Sequence, residues 1–507
     1  MALKIIMLVA FFAVMIGVGF YCRKEAQNVD GFVLGGRKVG PWLTAFAYGT
    51  SYFSAVVFVG YAGQFGWKYG IASTWAGIGN AVIGSLLAWI ILGKRTRIMS
   101  HTLNSSTMPD FFGKRFDAKS LKIGASIITF VFLIPYTASL YNGLSRLFGM
   151  AFNIDYTICV IIMAVLTGVY VIAGGYMATA INDFIQGIVM LGGIVAVIIA
   201  VINGKGGFAS AFAQMAQVSD PSVGAEQGAF ASIFGPDPIG LLGVVILTSL
   251  GTWGLPQMVQ KFYAIKDESA IKKGTIISTI FALIVAGGCY FLGGFGRLFA
   301  DQIDLKAGGY DSIIPAMLSG LPDILIGIVV ILVLSASMST LSSLVLTSSS
   351  TITIDLVNEA KKKKMSDKSQ VLLMRVLIVV FIALSVIIAI VQYKSNVTFI
   401  AQLMGISWGA LAGAFLAPFL YSLFWKGTTK AACWVNFVFS VAFMLIDLFG
   451  NLTGAQILPV FLRSPINAGA FCMLAGFAIV PIVSAFTKKP SVGITEFAFS
   501  DIGKKNK

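Results

Sequence analysis

Apolar residues in this chain neither alternate nor recur at helical spacing; they run on without polar interruption. A helix needs about 20 apolar residues to cross roughly 30 Å of hydrocarbon. That condition is met thirteen times, at 4–22, 40–63, 70–93, 123–150, 155–174, 178–203, 237–256, 274–296, 322–356, 371–393, 399–425, 430–449 and 467–487. The predicted class is therefore all-α: a polytopic membrane protein of about thirteen spans with no stretch left for a soluble domain. The first run, from Ile5 to Cys22, is long, has no small-residue cleavage pattern and ends at Arg23-Lys24. It reads as a retained helix and not as a signal peptide.

Two spans break the pattern. The second carries Gly49-Thr50-Ser51-Tyr52-Phe53-Ser54, and the seventh carries Gly251-Thr252-Trp253-Gly254-Leu255-Pro256. Irregular backbone inside a membrane survives only where it is buried in protein or lines a cavity, and Pro256 has no N–H to donate. Both spans are expected to unwind. They lie five helices apart, so they enter the membrane from opposite sides, which is the mark of an inverted five-helix repeat around a central site. The expected organisation is an extra helix and loop (1–39), a first repeat of spans 2–6 with an extracellular loop (40–236), a second repeat of spans 7–11 (237–429), and two further helices with a tail (430–507). The competing account is chance recurrence of Gly-Thr pairs among 55 glycines. Thr107-Met108-Pro109-Asp110-Phe111-Phe112, in the long 101–119 connection, is a candidate short interfacial helix.

Composition narrows the class. Hydrophobic residues make up 57% and charged residues 11%, too little polar surface to cover a soluble globule. The formal charge of +15 invites a nucleic-acid reading, but its placement argues otherwise. With the N-terminus outside, alternate loops take Arg23, Lys24, Arg37, Lys38, the group from Lys94 to Lys122, Lys261, Lys266, Lys272, Lys273, Lys361 to Lys364, Lys368, Lys426, Lys430 and the tail. With Arg375 that is 28 of the 36 basic residues. The asymmetry is the positive-inside rule, giving a multi-pass cell-membrane protein with N-terminus outside, C-terminus cytoplasmic and no nucleic-acid partner. Five scattered cysteines show no zinc or redox spacing and read as packing residues.

Ionisable residues inside spans are costly and usually functional. Asp237, Asp323, Asp355 and Asp447 fall near expected span ends, where water can reach them. Asp183, within Asn182-Asp183-Phe184-Ile185-Gln186, is the best intramembrane carboxylate; a solvated acid at a helix start is the other reading. In the ninth span Ser339, Ser342 and Ser343 fall at i, i+3 and i+4 with Thr340 beside them, so their hydroxyls share a face. Clustered oxygens suit a hard cation such as sodium; close helix packing and bonding back to the helix's own carbonyls also use such residues. The chain is not read as an enzyme. Its one histidine, His101, has no partner nearby in sequence for acid–base or metal chemistry, and no phosphate-binding loop is present to power an ATP-driven pump.

These motifs resemble the sodium:solute symporter family, which includes bacterial proline and pantothenate symporters, sialic-acid transporters and sodium–glucose cotransporters. The markers are Leu34-Gly35-Gly36-Arg37, Gly174-Gly175 with Asn182-Asp183 and Gln186, and Met338-Ser339-Thr340-Leu341-Ser342, and the match runs over nearly the whole chain. The resemblance implies the inverted-repeat fold and Na+ as the coupling ion. It implies a principal sodium site made of the carbonyls of Thr50, Phe53 and Ala336 and the hydroxyls of Ser339 and Thr340. A second site, used by some members, maps to Asp183, Ser339, Ser342 and Ser343, leaving one or two ions per solute open. Arg37 matches a residue of the proline symporters' cytoplasmic ion pathway; a positive-inside anchor explains it equally.

Sodium-coupled import of a small organic solute by alternating access follows as the expected function, with an amino acid (proline-like) or small carboxylate as cargo. Pantothenate, monocarboxylate and sialic acid are alternatives, and proton coupling or an ion channel are more remote ones. Expected solute-site residues are Ser51, Tyr52 and Ser54 on the second span, Tyr136 on the fourth, and Thr248, Thr252 and Trp253 on the seventh. Tyr136 matches a tyrosine of the proline symporters, whereas Thr248 and Thr252 stand where those proteins carry Trp and Tyr. Pro256-Gln257-Met258 departs from the sugar transporters' Asn-Gln-Tyr. Arg146, about three turns from Tyr136, stands in a poor position for the sialic-acid transporters' arginine. A solute carboxylate can instead be held by N–H groups at a half-helix start near Ser51 or Trp253.

Overall fold

The computed structural model describes residues 2–361, 363–395, 400–455 and 457–502. Lys362 and the lysines at the end of the tail lie outside the described residues. Thirteen helices carry the architecture: α1 (Ala2–Tyr21), α2 (Pro41–Tyr52), α3 (the helical run Val56–Thr102), α4 (Lys119–Phe152), α5 (Tyr156–Asn203), α6 (Pro238–Gly254), α7 (Pro256–Tyr263), α8 (Glu268–Gly293), α9 (Asp323–Ser350, continuing as helix to Ala360), α10 (Asp367–Ser395), α11 (Ile400–Phe424), α12 (Lys430–Thr453) and α13 (Pro465–Phe486). No β-strand occurs among the described residues. The expected interfacial segment forms a helix, Met108–Phe116, capped by the Thr107 hydroxyl, which accepts from the Asp110 N–H.

These elements do not map one to one onto the expected spans. Ten described helices are long and apolar enough to cross a membrane, or eleven if the bent pair α6–α7 counts as one span; the expected count of thirteen is not reached. The shortfall arises where consecutive expected spans run on as one helix. The 48 residues of α5 would measure roughly 72 Å if straight, more than twice the hydrocarbon thickness. At Gly175 the backbone takes φ 56°, ψ −145°, and at Gly70 in α3 it takes φ 61°, ψ −142°. Side chains are all but excluded from that region, so each glycine turns the chain without ending the helical run.

The second and seventh spans break as expected, and in the same way. Phe53 between α2 and α3 is extended (φ −90°, ψ 121°), as is Leu255 between α6 and α7 (φ −80°, ψ 123°). Pro256 then opens α7 at its first residue, where its missing N–H costs nothing, and the pair is bent by 45°.

Two packed groups meet at these breaks. Helix α8 packs on α2 and α3, and α3 packs on α6, which also lies against α11 and α13. Along the α3–α8 seam a Cβ on Gly66 would stand 1.9 Å from the Gly293 carbonyl oxygen, and one on Gly77 would stand 2.4 Å from the Gly287 Cα. The helices touch there backbone to backbone. Helix α9 packs against α4 and α5, with α1 and α10 outside them, and α11, α12 and α13 form a third cluster. Of the most apolar stretch of each helix, 83% is buried in α9 and 89% in α11, against 28% in the first helix and 33% in α10. The hydroxyl-rich helix is thus central, and the apolar exterior belongs to the helices around it.

Candidate functional site

The break in α2 frees backbone carbonyls, and α9 meets them with hydroxyls. Ser339 Oγ lies 3.0 Å from the carbonyl oxygen of Thr50 and 3.0 Å from that of Ala336. Thr340 Oγ1 lies 3.3 Å from Thr50 O, 3.2 Å from Phe53 O and 3.1 Å from Ala336 O. All five oxygens expected of the principal sodium site therefore converge, and Thr50, Ser339 and Thr340 are fully buried. The other half of the break is held as well: the Ala55 N–H donates to Ser337 Oγ at 3.1 Å, and the Val56 N–H to Ser54 Oγ at 3.2 Å. Ser337 was given no role from the sequence, although it sits inside the serine motif. A set of neutral oxygens around one point is a weak, reversible site for a hard monovalent cation.

Beside it, Asp183 of α5 is fully buried, which rules out a solvated helix-start acid. Its Oδ2 lies 3.7 Å from the Nζ of Lys261. The same ammonium donates to Ser343 Oγ at 3.0 Å and stands 5.1 Å from the centre of the Tyr176 ring. Ser343 Oγ is also 3.0 Å from Ser51 Oγ on α2. Ser342 bonds back to its own helix, at Ser339 O. Lys261, expected in a cytoplasmic loop, is instead 2% exposed on α7. Extending the seventh span beyond Pro256 would have exposed the signal, because Gln257, Gln260 and Lys261 then share a helix face at i, i+3 and i+4. Gln260 indeed accepts from Thr347 Oγ1 at 2.8 Å, on the same stripe of α9. Asn182 and Gln186 turn toward Met15 of α1.

Of the expected solute-site residues, Tyr136 is fully buried with its hydroxyl unpaired among the described residues. It stands edge-on to Trp408 of α11 at 5.9 Å, and the indole N–H of Trp408 is also unpaired. Trp408 carried no signal in the sequence, being one aromatic in an apolar run. Ser51 and Ser54 are buried at the α2 break; the side chain of Tyr52 lies outside the described residues. Thr248 bonds to Val244 O in its own helix. Thr252 and Trp253 donate to the α3 backbone at Gly84 O (3.0 Å) and Ile83 O (2.9 Å), so their polar atoms serve the α3–α6 contact. Arg146 pairs with Asp311 at 3.8 Å.

Arg37 lies in a left-handed turn shared with Gly35 and Gly36 (φ 58°, 64° and 55° along the three residues). Its guanidinium bonds Asp30 Oδ1 (3.2 Å) and Ser105 O (2.7 Å), and Nη1 is buried without a partner. Nearby Lys122 Nζ meets Asp110 at 2.9 Å, Glu359 at 3.3 Å and Asp355 at 3.6 Å. Asp355, expected at a wet span end, is fully buried and accepts from Thr107. Asp447 is likewise buried, against Asn451. Asp237 and Asp323 are exposed, as expected of helix-start acids.

The sequence pattern of the sodium:solute symporter family matches residues 32–437. The chain belongs to that family. It is a multi-pass membrane transporter and not an enzyme, and sodium is the family's coupling ion. The symporter is 29% identical over 495 residues to the osmoregulated proline transporter OpuE of Bacillus subtilis (strain 168), with 96% of this chain and 95% of the relative covered. It is 28% identical over 513 residues to a sodium/proline symporter of Staphylococcus aureus (strain JH9), covering 98% and 95%. Among solved structures it is similar to a Na+-coupled sialic acid symporter in its substrate-bound outward-open state (TM-score 0.75, 18% identity, 96% and 98% covered). A nucleobase-cation-symport-1 family transporter matches at TM-score 0.50 and 13% identity, with 93% and 98% covered. At these identities the two structures establish the fold, and the family match carries the function.

Proposed function

We propose that this symporter imports L-proline with sodium, with its N-terminus outside and its C-terminus in the cytoplasm. The observation that carries the ion half is the convergence of Thr50 O, Phe53 O, Ala336 O, Ser339 Oγ and Thr340 Oγ1 where α2 is broken. The proline half rests on relatives named as proline transporters over nearly the full length and on the unpaired hydroxyl of Tyr136 facing Trp408.

Sodium replaces the hydroxyl–carbonyl hydrogen bonds across the break, fixing α2 against α9. That ordering completes a cavity bounded by the α2 break and Tyr136. The α2–α3–α6–α8 group then rocks against the α4–α5–α9 group to open the opposite face, with Arg37 on the cytoplasmic exit path. Because binding is linked, sodium must tighten proline binding by the same factor as proline tightens sodium.

Uptake of labelled L-proline into proteoliposomes of purified protein tests the reading. An inward sodium gradient should drive accumulation that saturates with proline and collapses when choline replaces sodium at fixed pH. Sodium-driven uptake of a carboxylate or pantothenate without proline would replace the cargo. Proline accumulation indifferent to sodium would overturn the coupling.

A further inference from the structure

The second cation position contains a cation that belongs to the protein. Asp183 is fully buried, and neither of its carboxylate oxygens accepts a hydrogen bond among the described residues. A bare buried carboxylate is untenable without a counter-charge. That charge comes from Lys261, whose Nζ is 3.7 Å from Asp183 Oδ2 and 3.0 Å from Ser343 Oγ. Two of the four residues expected to coordinate a second sodium are thus engaged by one ammonium. Tyr176, seven residues and so about two turns before Asp183 on the same helix, presents its ring to that ammonium from 5.1 Å.

We infer that Lys261 is a tethered substitute for the second sodium, so that this transporter binds and carries one sodium ion per solute. The inference rests on the sodium-coupled reading above and adds the ion stoichiometry to it. A sodium ion held by Asp183 and Ser343 would sit within roughly 4 Å of the ammonium, where two like charges in a protein interior cost on the order of a thousandfold in affinity. Displacing the lysine is no remedy, because α7 is packed on α2 and α9 and Lys261 is 2% exposed. The principal site is spared this repulsion, since the hydroxyls of Ser339 and Thr340 face the α2 carbonyls and not Ser343. Lys261 also touches, through Ser343, the hydroxyl of Ser51 on the broken helix, so the fixed charge supports the α2 break that a second bound ion would otherwise support.

Equilibrium binding of radioactive sodium to the purified protein tests this without reference to any solute. The wild type should bind about one ion per chain, and Lys261→Gln, which frees the carboxylate, should bind about two, with a Hill coefficient rising toward two. Lys261→Arg should stay at about one, as should the double variant Lys261→Gln/Asp183→Asn. Two ions in the wild type, or still one in folded Lys261→Gln, would overturn the inference. Should Lys261→Gln fail to fold, the wild-type count and the ratio of sodium to L-proline entering proteoliposomes decide: about one upholds it and about two refutes it. A wild type that binds no sodium would instead remove the coupling on which the inference rests.

Discussion

At the residue scale the distinction between Ser339 and Thr340 is informative. Thr340 Oγ1 reaches two carbonyls across the break, Thr50 O and Phe53 O, and Ser339 Oγ one, Thr50 O; both also reach Ala336 O within their own helix. Each hydroxyl is a neutral ligand to a charged ion, an interaction of about 1.5–3 kcal/mol when removed, or roughly tenfold or more in affinity. Thr340→Ala should therefore raise the sodium concentration that half-saturates uptake by at least about tenfold, Thr340→Ser should leave it near the wild-type value, and Ser339→Ala/Thr340→Ala should abolish sodium stimulation. Uptake measured against sodium concentration at fixed proline checks all three; an unchanged half-saturation in Thr340→Ala would exclude its hydroxyl as a ligand. Helical periodicity grouped Ser339, Ser342 and Ser343 on one face with Thr340 beside them, but it was the resemblance to sodium:solute symporters that singled out Ser339 and Thr340 as ligands. Lys261 was not legible, because a span ended at a proline assigns the following lysine to a loop, whereas the chain uses Pro256 to begin α7. Trp408 was equally silent, since its role depends on a neighbour far away in sequence.

Elements depend on conformations that only some residues tolerate. The breaks at Phe53 and Leu255 were foreseeable from Gly, hydroxyl and Pro residues inside apolar runs. The turns at Gly70 and Gly175 were read as boundaries between separate spans, Gly70 opening the third and Gly175 lying between the fifth and sixth, whereas helical hydrogen bonding continues on either side. Gly175 has φ 56° and ψ −145°, and an added Cβ would lie 2.9 Å from Phe32 O. Gly175→Ala should cost about 1–3 kcal/mol, seen as a lower unfolding temperature of the purified protein, while Gly192→Ala, with nothing within 4 Å of its Cβ, should be neutral. At the other end of α5's neighbour α4, Lys122 ties the Met108–Phe116 helix to the end of α9 through Asp110 and Asp355, both almost wholly buried. Lys122→Met leaves Asp110 with Lys114 at 2.8 Å and Asp355 with only the Thr107 hydroxyl, a loss of about 3 kcal/mol. Thermal unfolding should report it, with Lys122→Arg retaining most of the wild-type stability.

For the whole molecule, orientation is the prediction that the basic residues make. All five native cysteines are buried free thiols, so a single introduced thiol can be labelled over little background. With the C-terminus cytoplasmic, Val223→Cys should react with a membrane-impermeant maleimide in intact cells and Lys426→Cys only after permeabilisation, both being exposed side chains. The reverse pattern would invert the topology. The overall architecture was legible because lipid leaves few options: apolar runs must be helices and broken ones must line a site. The packing of particular helices was not, because glycines that let backbones touch look in sequence like any others.

One such contact has a practical use. Along the α3–α8 seam, Gly66 meets Gly293 and Gly77 meets Gly287 with no room for a methyl group, so a shift of one helix against the other would have to give up backbone contact on both sides of the turn at Gly70, and the pair is expected to move as one body. Spin labels attached on the outer sides of these two helices would therefore keep a constant separation in every state of the transport cycle. That pair supplies an internal ruler against which distances measured from α3 to α9 can be calibrated, and any spread it shows measures label motion rather than protein motion.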